Sequence, residues 1–202
     1  MGIQSSDELA LGAMLKEKTE KNLALTDDEK ALYERINTGL LTTLEIMQRI
    51  FYVDFTMGIL RAHNDFRKNA GIAFNDLSDY LTEDRSTCVV PYDTKKKALA
   101  DLENGPTEND KWVLVSFPAP HVMDPVGHSR TSGDRLKDIL IGTPQKSHFN
   151  AKIISAEDQV LKAVNTNRTS KGLEPLQDLR GKITETIEGT SAKPARKRGR
   201  RM

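Results

Sequence analysis

Apolar side chains recur at intervals of three and four residues through the first third of the chain. This series consists of Leu32, Ile36, Leu40, Leu44, Met47, Phe51, Phe55 and Ile59. Such spacing is typical of one face of an α-helix. Thr26 and Glu29 stand before it at the spacing of a capping box, which marks a helix start. The pattern predicts one long helix over about residues 26–61, preceded by a shorter helix over about 5–22.

The apolar face of the predicted long helix is wider than a short neighbouring helix can cover. A second stripe that includes Ile46, Ile50 and Val53 lies beside the first one. A helix that is apolar on most sides must be buried. We therefore expect residues 1–85 to be a helical, interface-forming region that binds a protein partner or a second copy of the chain.

Beyond residue 85 the hydrophobic period changes, and short strands alternate with helices. Strands are predicted over 86–92, 112–117 and 152–155, and helices over 95–103, 134–141, 155–171 and 175–189. The predicted fold class is α+β and mostly helical. It joins the N-terminal helices to a small α/β region over 86–190 with about three short strands, followed by a disordered basic tail over 191–202.

Charge is distributed unevenly along the chain. Although the net charge is only +1, residues 1–110 carry 13 Lys and Arg against 20 Asp and Glu, and residues 191–202 carry 6 against none. Apolar residues make up 37% and charged residues 29%, a balance typical of soluble globular proteins. The asymmetry indicates an acidic body with a basic end that meets a polyanion.

The basic tail has the chemistry of a phosphate-binding segment. Its cations are Lys193, Arg196, Lys197, Arg198, Arg200 and Arg201. Guanidinium groups bind phosphate oxygens in pairs and release counterions. No aromatic residue lies among them, which favours phosphate contact over base stacking. The tail predicts a non-catalytic, nucleic-acid-associated assembly or structural protein of the viral or phage kind, with RNA or DNA left open. A nuclear-import signal and a solubilising tail are the alternatives for this segment.

The N-terminus offers a second hypothesis. Gly2 is followed by Ser5 and Ser6 in a pattern that fits N-myristoylation. One acyl chain plus a polybasic segment gives stable binding to anionic membranes. The alternative function is therefore a membrane-peripheral matrix or adaptor protein, although these serines also suit the cap of the first helix.

Residues 118–133, predicted to be irregular, provide the candidate small-molecule site of a third hypothesis, a small enzyme. The segment concentrates His121, Asp124, His128, Ser129 and Arg130. Two imidazoles and a carboxylate suit zinc or iron. The segment around Ser129 also resembles the serine elbow of the α/β-hydrolases, but a threonine replaces its second glycine. We expect a polar surface loop here, with neither a metal nor a catalytic residue.

Other features of the sequence set limits on function. Cys88 is the single cysteine, so no internal disulfide can form. No glycine-rich phosphate loop occurs, and we expect no cofactor. The absence of a membrane-spanning run and of a secretory signal predicts a cytoplasmic, nuclear or virion-associated protein. Lys95, Lys96 and Lys97 are interpreted as a solvated helix face, and His63 as a helix-end residue.

Overall fold

The computed structural model describes residues 4–64, 71–107 and 110–179, which form an α+β fold with two β-sheets. The strands are β1 (Thr43–Ile46), β2 (Arg49–Asp54), β3 (Ile59–Ala62), β4 (Gly71–Ala73), β5 (Thr87–Asp93), β6 (Ala98–Leu99), β7 (Trp112–Pro118), β8 (His148–Asn150) and β9 (Lys152–Ile154). The α-helices are α1 (Ser6–Glu20), α2 (Asp27–Tyr33), α3 (Phe74–Leu77), α4 (Pro120–Met123), α5 (Pro125–Ser132), α6 (Leu136–Ile139) and α7 (Glu157–Ser170). A π-helical turn, Glu34–Thr38, follows α2, and a 3₁₀ turn, Ser78–Tyr80, follows α3.

The first sheet has the strand order β4-β3-β2-β1-β8. Its first four strands form an antiparallel meander, and β8 adds to β1 in parallel. Met47 and Gln48 both have positive φ angles, 49° and 64°, as a two-residue hairpin turn between β1 and β2 requires. Gly58, with φ 68°, forms the next turn. Two tight turns therefore fold residues 43–62 back on themselves.

This meander shows that the predicted helix over residues 26–61 is wrong beyond its first turns. Leu44, Ile46, Phe51, Val53 and Leu60 alternate with less buried neighbours at a period of two. Each tight turn changes which positions of the next strand face the core. Across the three strands, the apolar residues therefore fall at intervals of three and four as well as two, as they would on a helix. The β-branched and aromatic composition of this segment favours strands.

The mostly helical fold class is therefore also wrong. The two sheets contain five and four strands, and the sheet region is not small. In the second sheet, whose order is β6-β5-β7-β9, β5 and β7 pair antiparallel over their full lengths. The strands predicted over 86–92, 112–117 and 152–155 are confirmed as β5, β7 and β9.

One hydrophobic core lies between the two sheets. Its largest buried side chains include Phe51 and Leu60 from the first sheet and Tyr92 and Phe117 from the second. On its other face the second sheet is covered by α7, where Val160 and Val164 pack with Trp112 and Leu114 of β7. Helices α1, α2, α5 and α6 form a third cluster, which includes Leu15, Leu32, Val126 and Leu136.

Several predicted helices are confirmed with small changes of boundary. Helix α1 begins after Ser5, whose hydroxyl accepts a hydrogen bond from the Glu8 amide at 3.2 Å. The predicted capping box of α2 forms between Thr26 and Glu29. Helix α7 ends before Gly172, where φ is 74°. Among the helices of the described segments, none is both long enough and apolar enough to cross a membrane.

Three other predictions of local structure are wrong. Residues 95–103 form a turn, strand β6 and a second turn rather than a helix. Residues 118–133 are mostly helical, because Pro120 and Pro125 each occupy a first helical turn, where proline is favoured. Residues 173–179 are not helical, so no helix begins at Pro175, and the rest of that predicted helix lies outside the described residues.

Candidate nucleic-acid interface

A basic groove of about 470 Å³ opens where the first sheet meets the turn after β5. One wall carries Arg49 and His63 from the ends of β2 and β3, and the other carries Lys95, Lys96 and Lys97. The remaining lining residues are Gln48, Ile50, Ala62 and Asn64. Several basic side chains of the described residues therefore line one concave surface.

Lys95, Lys96 and Lys97 form a turn directly after β5, which we call the lysine turn. This turn is held by the buried carboxylate of Asp93, the last residue of β5. Asp93 Oδ1 accepts hydrogen bonds from the backbone amides of Lys95 and Lys96, at 2.8 and 3.1 Å. This arrangement is an Asx turn, in which a side chain replaces the backbone acceptor. Asp93 is 1% exposed, so its position is fixed by the sheet. The turn does not continue as a helix, because Lys97 adopts a left-handed backbone conformation with a φ of 54°.

A second carboxylate engages Lys96. The Lys96 ammonium donates to Asp110 Oδ2 at 2.9 Å, and the Thr107 amide donates to the same oxygen at 2.8 Å. The hydrogen bond from Thr107, followed by that from Lys96, lowers the pKa of Asp110 to about 2. The hydrogen bond to Asp110 raises the pKa of Lys96. Lys96 is therefore committed to holding the turn in place.

Lys95 and Lys97 are exposed, and neither forms a salt bridge with a residue of the described chain. Lys97 adopts a positive φ of 54°, and its carbonyl accepts a hydrogen bond from Arg49 Nη1 at 2.6 Å. The Arg49 guanidinium also lies over the Phe51 ring, 5.1 Å from its centroid. The lysine turn is thus bound to the first sheet, while the ammonium groups of Lys95 and Lys97 have no ion-pair partner among the described residues and can bind an anion.

Aromatic side chains border the groove on the outward face of the first sheet. Tyr52 of β2 lies opposite Arg61 of β3, whose guanidinium is 5.0 Å from the tyrosine ring centroid. His63 follows β3, and its ring centroid is 5.2 Å from that of Tyr52. The Tyr52 hydroxyl and His63 Nδ1 are 2.6 Å apart, within hydrogen-bond distance. Arg61 is held in turn by Asp54, at 3.1 Å.

The site residues predicted in the two termini lie outside the described residues. These are Gly2 and the tail cations Lys193, Arg196, Lys197, Arg198, Arg200 and Arg201. The candidate residues of segment 118–133 are described, and they lie on α4, on α5 and at the junction between them.

Asp124 has a structural role at this junction. Its carboxylate accepts hydrogen bonds from Arg35 Nε and Nη2, at 2.9 and 3.0 Å, and from the Gly127 amide at 2.9 Å. Both Arg35 and Asp124 are buried. Asp124 thereby caps α5 and neutralises an arginine from the turn after α2. Its oxygen atoms are occupied by these contacts rather than directed at a ligand.

The other predicted residues of α4 and α5 also contact the protein itself. The rings of His121 and His128 lie 5.7 Å apart, and burial, followed by the charges of His128 and Arg85, lowers the pKa of His121. The buried Ser129 hydroxyl donates to the Asp134 carbonyl at 2.6 Å. Within the described segments, no group of three or more His, Cys, Asp or Glu side chains could hold a metal ion.

Arg130 forms the second ion pair of this region. Its Nε atom donates to both carboxylate oxygens of Glu8, at 3.0 and 3.2 Å, and its Nη2 atom donates to Oε1. Glu8 is completely buried, and Gln4 also donates to it at 3.1 Å. This pair fastens α1 to α5, so Arg130 serves the packing of the N-terminal helix.

Sequence reasoning missed most of the basic groove. It assigned Lys95–Lys97 to a helix face and His63 to a helix end, and it gave no role to Arg49, Tyr52 or Arg61. Ile50 and Tyr52 are less buried than Phe51 and Val53, but all four side chains are apolar or aromatic, so polarity along the chain does not mark the outward face of β2. Comparison with known proteins finds no matching family model, no matching curated protein and no matching solved structure.

Proposed function

We propose that this protein is a non-catalytic, intracellular nucleic-acid-binding protein that contacts phosphates through the basic groove and the C-terminal tail. The observation that supports the proposal is the lysine turn. Lys95 and Lys97 are exposed and unpaired within the described chain, yet their backbone is fixed by Asp93 and Arg49. Cations held in place before binding lose less conformational freedom when a ligand arrives.

Phosphate is the ligand class that suits this arrangement. Lys95, Lys97 and Arg49 offer ammonium and guanidinium donors along one concave surface, where a chain of phosphates can meet several of them together. Each neutralised phosphate of a single strand contributes about −0.7 to the slope of log affinity against log salt concentration. We therefore expect the groove to account for a slope of about −2, and the tail for a further contribution.

Self-assembly through the N-terminal helices stays a prediction. The wide apolar helix face from which it was inferred does not exist, because residues 43–62 form strands. The apolar side chains that required a partner, such as Phe51 and Val53, are buried between the two sheets. Leu15 and Leu32 of α1 and α2 are likewise buried within the chain. The proposed function accordingly depends on the basic groove and the tail, and needs no interface between copies.

The test uses charge reversal in the groove with a matched control elsewhere. The double variant Lys95→Glu/Lys97→Glu should weaken binding of a labelled single-stranded oligonucleotide about 10- to 100-fold at about 50 mM salt and flatten its salt dependence. The control Lys137→Glu/Lys162→Glu makes the same net charge change on exposed residues of α6 and α7. Fluorescence anisotropy at two salt concentrations gives both affinities and slopes.

Deletion of residues 191–202 separates the tail from the groove. If both regions bind phosphates, the deletion and the groove variant each reduce the salt slope, and their combination abolishes binding. Equal losses for the groove variant and its control would contradict a role for the groove, because net charge alone would then explain the effect. Unchanged binding after the deletion would remove the tail from the proposal.

A further inference from the structure

We propose that the His63 ring, supported by Tyr52 at the edge of the basic groove, is a stacking surface for a base of single-stranded nucleic acid. This inference rests on the proposed function and specifies its substrate. The tail contains no aromatic residue, so any base contact must come from the body of the protein.

The position of His63 favours this assignment. His63 is exposed in the turn after β3, and it is one of the residues that line the same groove as Lys95 and Lys97. A phosphate on either lysine therefore brings the attached nucleoside next to an aromatic ring. Base–aromatic stacking beside a cationic groove is the general arrangement by which proteins bind single strands without reading their sequence.

The surroundings of the ring fix its orientation before binding. Tyr52 lies 5.2 Å from His63 between ring centroids and is hydrogen-bonded to it through the hydroxyl group. Tyr52 is in turn packed by Arg61, which is held by Asp54. His63 itself lies in the turn after β3, where its amide donates to the Ile50 carbonyl of β2 at 2.9 Å, so both its backbone and its ring are bound to the sheet.

The geometry favours a single strand over a duplex. In a duplex the bases are stacked on one another, and their faces are not accessible to a side chain. Tyr52 lies on β2 and His63 in the turn after β3, rather than on a helix or a two-stranded ribbon that could enter a major groove. We therefore expect single-stranded DNA or RNA to bind more tightly than a duplex of the same length.

The experiment compares oligonucleotides that carry the same phosphates with and without bases. The probes are oligo-thymidylate, oligo-uridylate, a base-free oligonucleotide of abasic residues and a duplex, each of roughly 20 nucleotides. Stacking typically strengthens binding by about 5- to 150-fold per base, so wild-type protein should bind both base-bearing single strands at least about 5-fold more tightly than the abasic strand. Equal affinity for all four probes would overturn the inference.

Two substitutions at His63 separate stacking on the ring from electrostatic attraction to the phosphates. His63→Phe keeps an aromatic surface and should retain the preference for base-bearing strands. His63→Lys introduces a cation and removes the ring, and should reduce binding of the thymidylate strand to the level of the abasic strand. Because His63 is exposed, neither change removes a core contact, and circular dichroism confirms that each variant folds.

Failure of this inference can be told apart from failure of the proposed function. If Lys95→Glu/Lys97→Glu weakens binding to every probe but His63→Lys leaves the base preference intact, phosphates are bound and stacking on His63 is overturned. If the groove variant has no specific effect or no probe binds, the proposed function fails and the stacking assignment fails with it. Tighter binding of the duplex than of the single strands would also overturn the single-strand assignment.

Discussion

Around α5, buried carboxylates are paired with arginines, whereas in the basic groove two lysines are exposed and have no ion-pair partner among the described residues. Arg35 is matched with Asp124 and Arg130 with Glu8, and neither carboxylate is more than 1% exposed. Lys95 and Lys97 are free of salt bridges to described residues, and the carboxylates near them engage the turn backbone and Lys96. The difference separates charges that hold the fold together from charges that can bind a ligand.

The number of charged residues in a segment is therefore a poor guide to its function. Segment 118–133 contains more candidate chemical groups than the lysine turn, but nearly all of them contact other parts of the chain. A buried ion pair is retained because loss of either partner leaves an unpaired charge in a medium of low polarity. An exposed lysine has no such partner to satisfy, so a ligand phosphate can bind it at a lower cost.

The largest effect is expected at the buried pair of α5. Asp124→Ala leaves the Arg35 guanidinium buried without a counterion and removes the cap of α5, so the free energy of unfolding should fall by about 3–5 kcal/mol. Denaturant unfolding measures this loss. The control Asp138→Ala removes an exposed carboxylate of α6 and should change stability by less than about 0.5 kcal/mol.

The affinity for oligonucleotides sharpens the same comparison. In the fraction of Asp124→Ala that is folded, we expect the affinity to match that of the wild-type protein, because Asp124 is not part of the groove. If Asp124→Ala instead kept full stability and lost oligonucleotide binding, Asp124 would belong to the binding site and not to the set of charges that stabilise the fold.

A smaller effect is expected at Asp93, which holds the lysine turn. Asp93→Ala removes the acceptor of two amide hydrogen bonds, and the turn should lose order, at a cost of about 1 kcal/mol in stability. Asp93→Asn keeps the side-chain oxygen while removing the negative charge. The alanine variant should therefore bind oligonucleotides about 3- to 10-fold more weakly than the asparagine variant.

This pair of variants separates geometry from charge, because both lack the carboxylate. Anisotropy measured at one salt concentration is sufficient for the comparison. Equal affinity of the two variants would show that the order of the turn does not contribute to binding, and that Lys95 and Lys97 act only through their charge.

The parts of the fold that were predictable are those with local signals. The caps at Ser5 and Thr26, the apolar run of β7 and the stop at Gly172 each leave a mark in a few neighbouring residues. The meander over 43–62 leaves no such mark, because its turn uses Met47 and Gln48 rather than Asn-Gly or Asp-Gly. Without a turn signal, three short alternating strands resemble one long periodic helix.

The candidate site was less predictable than the fold, for a related reason. Arg49, His63 and Lys97 converge only after the meander folds and β5 pairs with β7, and their separations in sequence give no hint of this. The shape of the lysine turn depends on the positive φ of Lys97, a conformation that lysine rarely adopts and that the neighbouring residues do not signal. The role of the tail stays a prediction from composition, because residues 191–202 lie outside the described residues.

The smallest effect expected concerns pH and the histidine pair beside α5. Burial, reinforced by the charges of His128 and Arg85, lowers the pKa of His121 below its ordinary value of 6.5. Just below that value the unfolded chain binds more protons than the folded protein, so this group makes the free energy of unfolding fall as the pH falls through 6.5. His121→Gln removes this contribution while the remaining titrating groups are still present. Unfolding experiments at about pH 7.5 and about pH 5.5 should therefore show a smaller acid-induced loss in the variant than in the wild-type protein, and equal losses would mean that His121 accepts its proton as readily in the folded protein as in the unfolded chain.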